Sequence, residues 1–74
     1  MELKDLEFIT NEYQEEEAFI KVTDDIELQI TREQDLDVYK YDCILWNNSC
    51  ARSISLGYDI GGDEVENIII LFTH

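Results

Sequence analysis

The chain has 74 residues, which is enough for one domain with a single thin hydrophobic core. Hydrophobic residues make up 45% of the chain and charged residues 31%, a composition typical of a globular fold rather than of a disordered segment. Eighteen acidic residues against five basic ones give a net charge of −13. Charge of this sign excludes direct binding to DNA, RNA or anionic lipid through a basic surface.

Residues 1–5 contain neither a basic n-region nor an apolar segment, so we expect no secretory signal. The longest apolar run, at 68–72, is about a quarter of the length that a membrane-spanning helix needs. Two cysteines are fewer than small disulfide-stabilised secreted domains usually carry. The sequence therefore predicts a cytoplasmic protein that does not associate with a membrane.

The first segment, residues 2–14, fits two patterns. Leu3, Leu6 and Tyr13 lie loosely on one helical stripe, whereas Leu6, Phe8 and Thr10 alternate as in a strand. Both interpretations, helix and strand, stay open for this segment.

A β-hairpin is predicted next, with strands at 17–22 and 26–31. A three-residue loop at 23–25 sets Lys21 opposite Glu27, an opposite-charge pair. A two-residue turn would set Lys21 opposite Leu28, so the pairing favours the longer loop. We expect Asp25 to adopt the left-handed backbone conformation in this loop.

A second hairpin is predicted from the strands 37–46 and 51–60. A two-residue turn at 47–48 would pair Tyr41 with Ile54 and Tyr39 with Leu56, so that apolar residues face apolar ones. The two asparagines of this turn tolerate the positive φ angles that it requires.

The last segment, residues 65–72, has apolar residues on both faces of a predicted strand that a loop at 61–64 joins to the sheet. A helix that begins at Asp63 is the alternative, because four apolar residues fall on one helical stripe: Val65, Ile68, Ile69 and Phe72. The β-branched residues favour the strand. Its second face would be covered by another element or would form a homodimer interface through 65–72.

These elements predict a single mainly β domain over 1–74, with a small antiparallel sheet of about five strands and hairpins at 23–25, 47–48 and 61–64. If the N-terminal segment is helical, the fold class becomes α+β.

The sequence contains few candidate residues for catalysis, metal binding or phosphate binding. His74 is the one histidine and stands at the last position, where a preorganised catalytic group is not expected. The acids around Asp24 lack the spacing of a calcium-binding EF-hand loop, and Gly61-Gly62 is followed by acids rather than by a phosphate-binding lysine. We expect a protein that is not an enzyme and that binds no metal and no cofactor.

The acidic residues form three clusters in the first half of the chain, where residues 1–42 carry fourteen acids and four bases. The clusters are Glu12, Glu15, Glu16 and Glu17; Asp24, Asp25 and Glu27; and Glu33, Asp35 and Asp37. Alternate residues of a strand stand about 6.7 Å apart, about twice the axial charge spacing along one DNA strand. Carboxylates gathered on one edge or face would imitate backbone phosphates. A solvated surface that improves solubility is the alternative interpretation.

Two aromatic residues are candidate anchors for a protein partner. Trp46 stands at the end of the second hairpin, on the strand face opposite Tyr39 and Tyr41, and Tyr13 lies inside the first acidic cluster. Tryptophan and tyrosine are enriched among the residues that dominate interface affinity. Packing of Trp46 in the core is the alternative.

In composition over its whole length, the chain resembles phage-encoded inhibitors, among them anti-CRISPR proteins, uracil-DNA glycosylase inhibitors and anti-restriction decoys. The resemblance implies a stoichiometric viral inhibitor that acts as a DNA mimic and blocks the basic channel of a nucleic-acid-binding protein in the host cytoplasm. Two other functions stay open: an immunity protein or antitoxin that binds a cationic nuclease, and a small structural subunit that oligomerises through 65–72.

Overall fold

The computed structural model describes residues 1–73, and His74 lies outside the described residues. Five antiparallel strands form one sheet in which each strand pairs with its neighbours in the sequence. The elements are a 3-10 turn at Leu3–Asp5, β1 at Ile9–Thr10, β2 at Glu16–Lys21, β3 at Ile26–Asp35, β4 at Val38–Asn47, β5 at Arg52–Ile60 and α1 at Gly62–Thr73. The prediction of a mainly β fold with about five antiparallel strands is confirmed. The N-terminal segment contains both the 3-10 turn and a short strand.

The β2–β3 hairpin has the predicted pairing, with Lys21 opposite Glu27. Its loop conformation differs from the prediction, because the positive φ angles of non-glycine residues in 1–73 occur at other positions: Gln14, Leu36, Ala51 and Asp59. The Thr23 hydroxyl instead accepts hydrogen bonds from the backbone N–H groups of Asp25 and Ile26 at 3.3 and 3.1 Å. A threonine side chain thus stabilises a loop in which Asp25 needs no left-handed conformation.

Strand β3 is longer than predicted and continues to Asp35, which pairs with Val38. A two-residue turn, Leu36-Asp37, joins it to β4, with Leu36 at φ 57°. Because β3 spans ten residues, its two ends lie about 30 Å apart. The acids at either end of β3 therefore lie at opposite ends of the sheet.

The predicted two-residue turn at 47–48 is wrong. Asn47 remains in β4 and pairs with Arg52, so that a four-residue loop at 48–51 closes the hairpin and Leu45, not Tyr41, faces Ile54. The Asn47 side chain accepts hydrogen bonds from the N–H and hydroxyl groups of Ser49, at 3.1 and 2.7 Å, and so builds the loop. Over residues 44–47 the register differs from the predicted one by four residues, an even number that leaves these side chains on the same face, so alternation cannot detect the difference. Irregularities between Tyr41 and Ile44 change the register further.

The predicted fifth long strand at 65–72, with its hairpin at 61–64, is also wrong, because this segment lies within α1. Val65 and Ile69 are fully buried, and Ile68 and Phe72 pack against the same core. These positions form the helical stripe that was the alternative interpretation. The sheet needs an apolar cover on one face, and a further strand at its edge would have left that face exposed to water.

One face of the sheet holds the core. The buried core residues are Ala18, Ile20, Leu28, Ile30, Tyr41, Cys43, Val65 and Ile69. Leu3, in the 3-10 turn, and Leu6, directly after it, also pack against this core. The N–H of Leu3 donates to Glu66 Oε1 at 2.9 Å, which joins the N-terminal segment to α1. Both covering elements thus lie on the same face of the sheet.

Candidate protein-binding face

The second face of the sheet, which we call the open face, carries no covering element within residues 1–73. Successive side chains of a strand point to opposite faces, so the residues between the core positions of β2, β3 and β4 lie here. The central members are Glu17, Phe19, Glu27, Gln29, Thr31, Glu33, Lys40, Asp42, Ile44 and Trp46. The face therefore mixes acidic, aromatic and aliphatic side chains in the middle of a rigid sheet.

A chain of side-chain hydrogen bonds crosses the open face from β4 to the β1–β2 loop. Trp46 Nε1 donates to Gln29 Oε1 at 2.8 Å, and Gln29 Nε2 donates to Glu17 Oε2 at 3.0 Å. Asn11 Nδ2 donates to the same oxygen of Glu17 at 3.3 Å. These bonds fix the side chains of an aromatic residue and a carboxylate before any partner binds.

Asn11 also organises the loop between β1 and β2. Its Oδ1 accepts hydrogen bonds from the backbone N–H groups of Tyr13 and Glu15, at 2.9 and 3.0 Å. The Asn11 N–H donates to the Glu15 carbonyl at 2.7 Å, and Gln14 adopts φ 66°. One asparagine thus holds the loop that carries Glu12 and Tyr13 next to the open face.

These residues surround a depression of about 400 Å³ on the open face. We call it the acidic–aromatic depression, and its lining residues are Asn11, Glu12, Tyr13, Glu17, Phe19, Glu27, Gln29, Trp46 and Asn48. Five residues predicted to bind a partner meet here: Glu12, Tyr13, Glu17, Glu27 and Trp46. Its described lining includes three carboxylates and no lysine or arginine.

The other predicted residues lie elsewhere. Asp24 and Asp25 occupy the β2–β3 loop at one end of the sheet. The Asp24 carboxylate forms an ion pair with Lys21, at 3.3 Å. Asp35 and Asp37 lie at the opposite end of β3. The acids therefore do not form a single continuous edge.

The remaining predicted residues, Glu15, Glu16 and Glu33, also separate. Glu33 lies on the open face opposite Lys40. Glu15 lines a smaller depression of about 140 Å³ that also contains Glu33 and Lys40. Glu16 lies on the core side of β2, because strand alternation turns it away from Glu17. The neighbouring residues 15–17 therefore lie on different surfaces of the protein.

Glu16 forms an ion pair with Arg32 within the chain. Arg32 donates from Nε and Nη2 to the two carboxylate oxygens of Glu16, at 3.0 and 3.4 Å. The guanidinium also lies over the rings of Phe8 and Tyr39, 3.9 and 4.4 Å from their centroids. Burial lowers the pKa of Arg32, but the hydrogen bond and charge of Glu16, with smaller charge contributions from Tyr39 and Tyr41, outweigh burial and raise this pKa above its usual value. This pair stabilises the edge of the core.

Four residues of the depression were not predicted to bind a partner: Asn11, Phe19, Gln29 and Asn48. Asn48 was assigned only to the predicted turn at 47–48. Phe19 and Gln29 occupy positions where the alternating pattern expects solvent-facing residues, so an aromatic ring at one of them was an available signal. Asn11 carries only the weak signal of an asparagine before a turn. Its contact with Glu17 depends on the β1–β2 pairing, which the sequence pattern did not predict.

The two cysteines are free and differ in environment. Cys43 is fully buried, and Cys50 is exposed in the 48–51 loop. Burial, with a smaller contribution from the charge of Asp42, raises the pKa of the Cys43 thiol to about 11. Cys43 therefore acts as a small apolar core residue.

Comparisons with protein-family models, with curated proteins and with solved structures found no match to this chain. Within residues 1–73, no helix combines the length and the apolar character that crossing a membrane requires. In the same range, no three side chains of histidine, cysteine, aspartate or glutamate converge in a way that would hold a metal ion.

Proposed function

We propose that this protein is a stoichiometric inhibitor that acts as an acidic nucleic-acid mimic. It would block the basic DNA- or RNA-binding channel of a host defence or DNA-processing protein. The observation that carries the proposal is the uncovered open face, where carboxylates and aromatic side chains stand together on a chain of net charge −13. Hydrogen bonds hold one of these carboxylates, that of Glu17.

The charge supports a basic partner in particular. Three of the five basic residues already lie within 3.3 Å of a carboxylate: Lys4, Lys21 and Arg32. Most acids therefore remain uncompensated within the chain, and their mutual repulsion decreases when a cationic surface neutralises them. The long-range field also accelerates the encounter with such a surface.

Only some of the acidic residues lie on the open face, and these are the ones that would imitate phosphates. Glu27 and Glu33 stand on the same side of β3, six residues apart, which corresponds to about 20 Å. Glu17 lies on the neighbouring strand, opposite Thr31 between them. These carboxylates are spread over a face wide enough to lie along a nucleic-acid-binding groove, and we propose that they replace phosphate contacts there.

Capture from a host-cell lysate tests the proposal. The immobilised protein should retain basic nucleic-acid-binding proteins, which are released by about 0.5 M salt and by an excess of duplex DNA, because both compete with the same charge contacts. Released proteins should lose their nucleic-acid binding when the chain is added back in equimolar amount. Retained proteins that resist salt and DNA, or that still bind DNA with the chain attached, would contradict the proposal.

An immunity protein or antitoxin for a cationic nuclease would use the same interface. If the captured partner is a nuclease encoded beside this chain, the result assigns that role. In either case the partner's basic surface is the binding site.

A small oligomeric subunit is a second candidate, and one observation favours it. Ile70 and Leu71 in α1 are 52% and 76% exposed, so part of 65–72 remains available for a homodimer after the core is formed. Analytical ultracentrifugation over a range of concentrations would detect the dimer, and Leu71→Asp should remove it. A monomer at every concentration excludes this function.

A further inference from the structure

We infer that the acidic–aromatic depression is an arginine-binding site that takes one arginine side chain from a basic protein partner. This inference rests on the proposed function and names the chemistry by which the partner is recognised. The depression lies on a sheet face without a cover, and its described lining holds three carboxylates together with three aromatic rings.

Charge determines what can fill the depression. The carboxylates of Glu12, Glu17 and Glu27 line it, so an apolar or anionic occupant would remove them from water without replacing their hydration. A second copy of the chain presents the same sign of charge and is repelled. A cationic group satisfies the carboxylates and keeps the depression occupied.

The aromatic residues select arginine among cations. Phe19, Tyr13 and Trp46 line the same depression, with Tyr13 exposed by 73% and Phe19 by 49%. A planar guanidinium stacks on aromatic rings and donates two parallel hydrogen bonds to a carboxylate, whereas an ammonium is a compact, strongly hydrated point charge. The same side chains therefore favour arginine over lysine.

The hydrogen-bond chain prepares the site. Within residues 1–73, both hydrogen bonds that Glu17 accepts end on Oε2, which leaves Oε1 for a donor from the partner. Trp46 is held by its bond to Gln29, so its indole N–H requires no partner group. Binding an arginine then costs little additional ordering of these two side chains. Arg32, which lies over the rings of Phe8 and Tyr39 and is paired to Glu16, shows the same combination of contacts at the edge of the core.

The test uses the single tryptophan of the chain as its reporter. Blocked pentapeptides with one central arginine, lysine or citrulline between glycines are titrated into the ¹⁵N-labelled protein, and the Trp46 indole N–H resonance is followed. The arginine peptide should shift this resonance saturably, with a dissociation constant of about 1 mM. The lysine peptide should bind at least about fivefold more weakly. Citrulline, which has the same shape without the charge, should produce no saturable shift.

Two charge-matched variants provide the control. Glu17→Gln with Glu27→Gln keeps the size of both side chains and an acceptor oxygen in the hydrogen-bond chain, and it should weaken arginine binding by about tenfold or more. Asp35→Asn with Asp37→Asn removes the same charge at the far end of β3 and should leave binding within about twofold. Thermal melting confirms that both variants are folded.

Three results would overturn the inference: no saturable shift, equal shifts with all three peptides, or equal weakening in the two variants. Lysate capture by the unmodified chain is measured in parallel. If salt-sensitive capture persists while the arginine test fails, only the arginine site is wrong; if capture also fails, the proposed function falls with it.

Discussion

Arg32 shows how a single charged residue can stabilise a small core. Its guanidinium lies between Phe8 and Tyr39 and is paired with Glu16, so it closes the edge of the sheet on the core side. The alternating pattern predicts that position 32 lies on the same face as Ile30, but it gives no reason to expect a cation there. The aromatic partners come from β4 and from the segment before β1, and only tertiary structure brings them together.

Arg32→Ala should lower the free energy of unfolding by about 2 kcal/mol, because it removes both stacking contacts and leaves Glu16 without its partner. Arg32→Lys keeps the charge but not the planar stacking, and should cost about 1 kcal/mol. Urea denaturation followed by circular dichroism measures both. The exposed Arg52 is the control, since Arg52→Ala should change stability by less than about 0.5 kcal/mol. Equal effects at positions 32 and 52 would contradict this role.

The two thiols should react at different rates. At pH 8 the Cys43 thiol remains protonated, since its pKa is raised to about 11, and it is also buried. Ellman's reagent should therefore modify one thiol quickly in the folded protein, at Cys50, and both thiols in urea.

Because burial favours the neutral Cys43 thiol, the contribution of this thiol to stability is present below pH 9 and is lost as the pH rises towards 11. Cys43→Ala should weaken the loss of stability over that range, whereas Cys50→Ala should not. Rapid modification of Cys43 in the native protein would contradict the burial of this thiol.

At the scale of elements, the sequence predicts which face of a strand a side chain lies on better than it predicts which strands and helices pair or pack together. The β2–β3 register follows from one charged residue, Lys21, which a two-residue turn would set opposite Leu28. The β4–β5 register has no such restraint, because registers that differ by an even number keep the same faces. At 65–72 the β-branched residues have strand propensity, but the need of the sheet for a cover decides the outcome, and no local pattern contains that need.

The helical structure of α1 predicts that substitutions at residues 69 and 71 differ in their effect on stability, which a strand would not predict. Ile69 is fully buried and Leu71 is 76% exposed, so Ile69→Ala should lower the free energy of unfolding by about 3 kcal/mol and Leu71→Ala by less than about 0.5 kcal/mol. Urea denaturation at low protein concentration measures both without interference from self-association. Similar costs at the two positions would contradict the helix, because a strand would place residues 69 and 71 on the same face.

At the scale of the whole molecule, the sequence predicts the class of surface but not its boundaries. Composition alone indicates an acidic chain, and five of the predicted partner-binding residues do meet in one depression. The others are dispersed by two geometric effects. Strand alternation places Glu16 and Glu17 on opposite faces, and the length of β3 separates Asp25 from Asp35 by about 30 Å. Predicted residues therefore come together where neighbouring strands and the β1–β2 loop place them on the same face of the sheet.

If the open face, rather than total charge, binds a basic partner, affinity depends on which carboxylates are removed. The measurement is the affinity for the captured partner against salt concentration, with two charge-matched variants. Glu27→Gln with Glu33→Gln removes charge from the open face, and Asp63→Asn with Glu64→Gln removes the same charge from α1, on the other side of the sheet. We expect the open-face variant to lose about tenfold or more in affinity and to have a shallower salt dependence, while the helix variant stays within about threefold. Equal losses in the two variants would mean that total charge, and not the open face, determines binding.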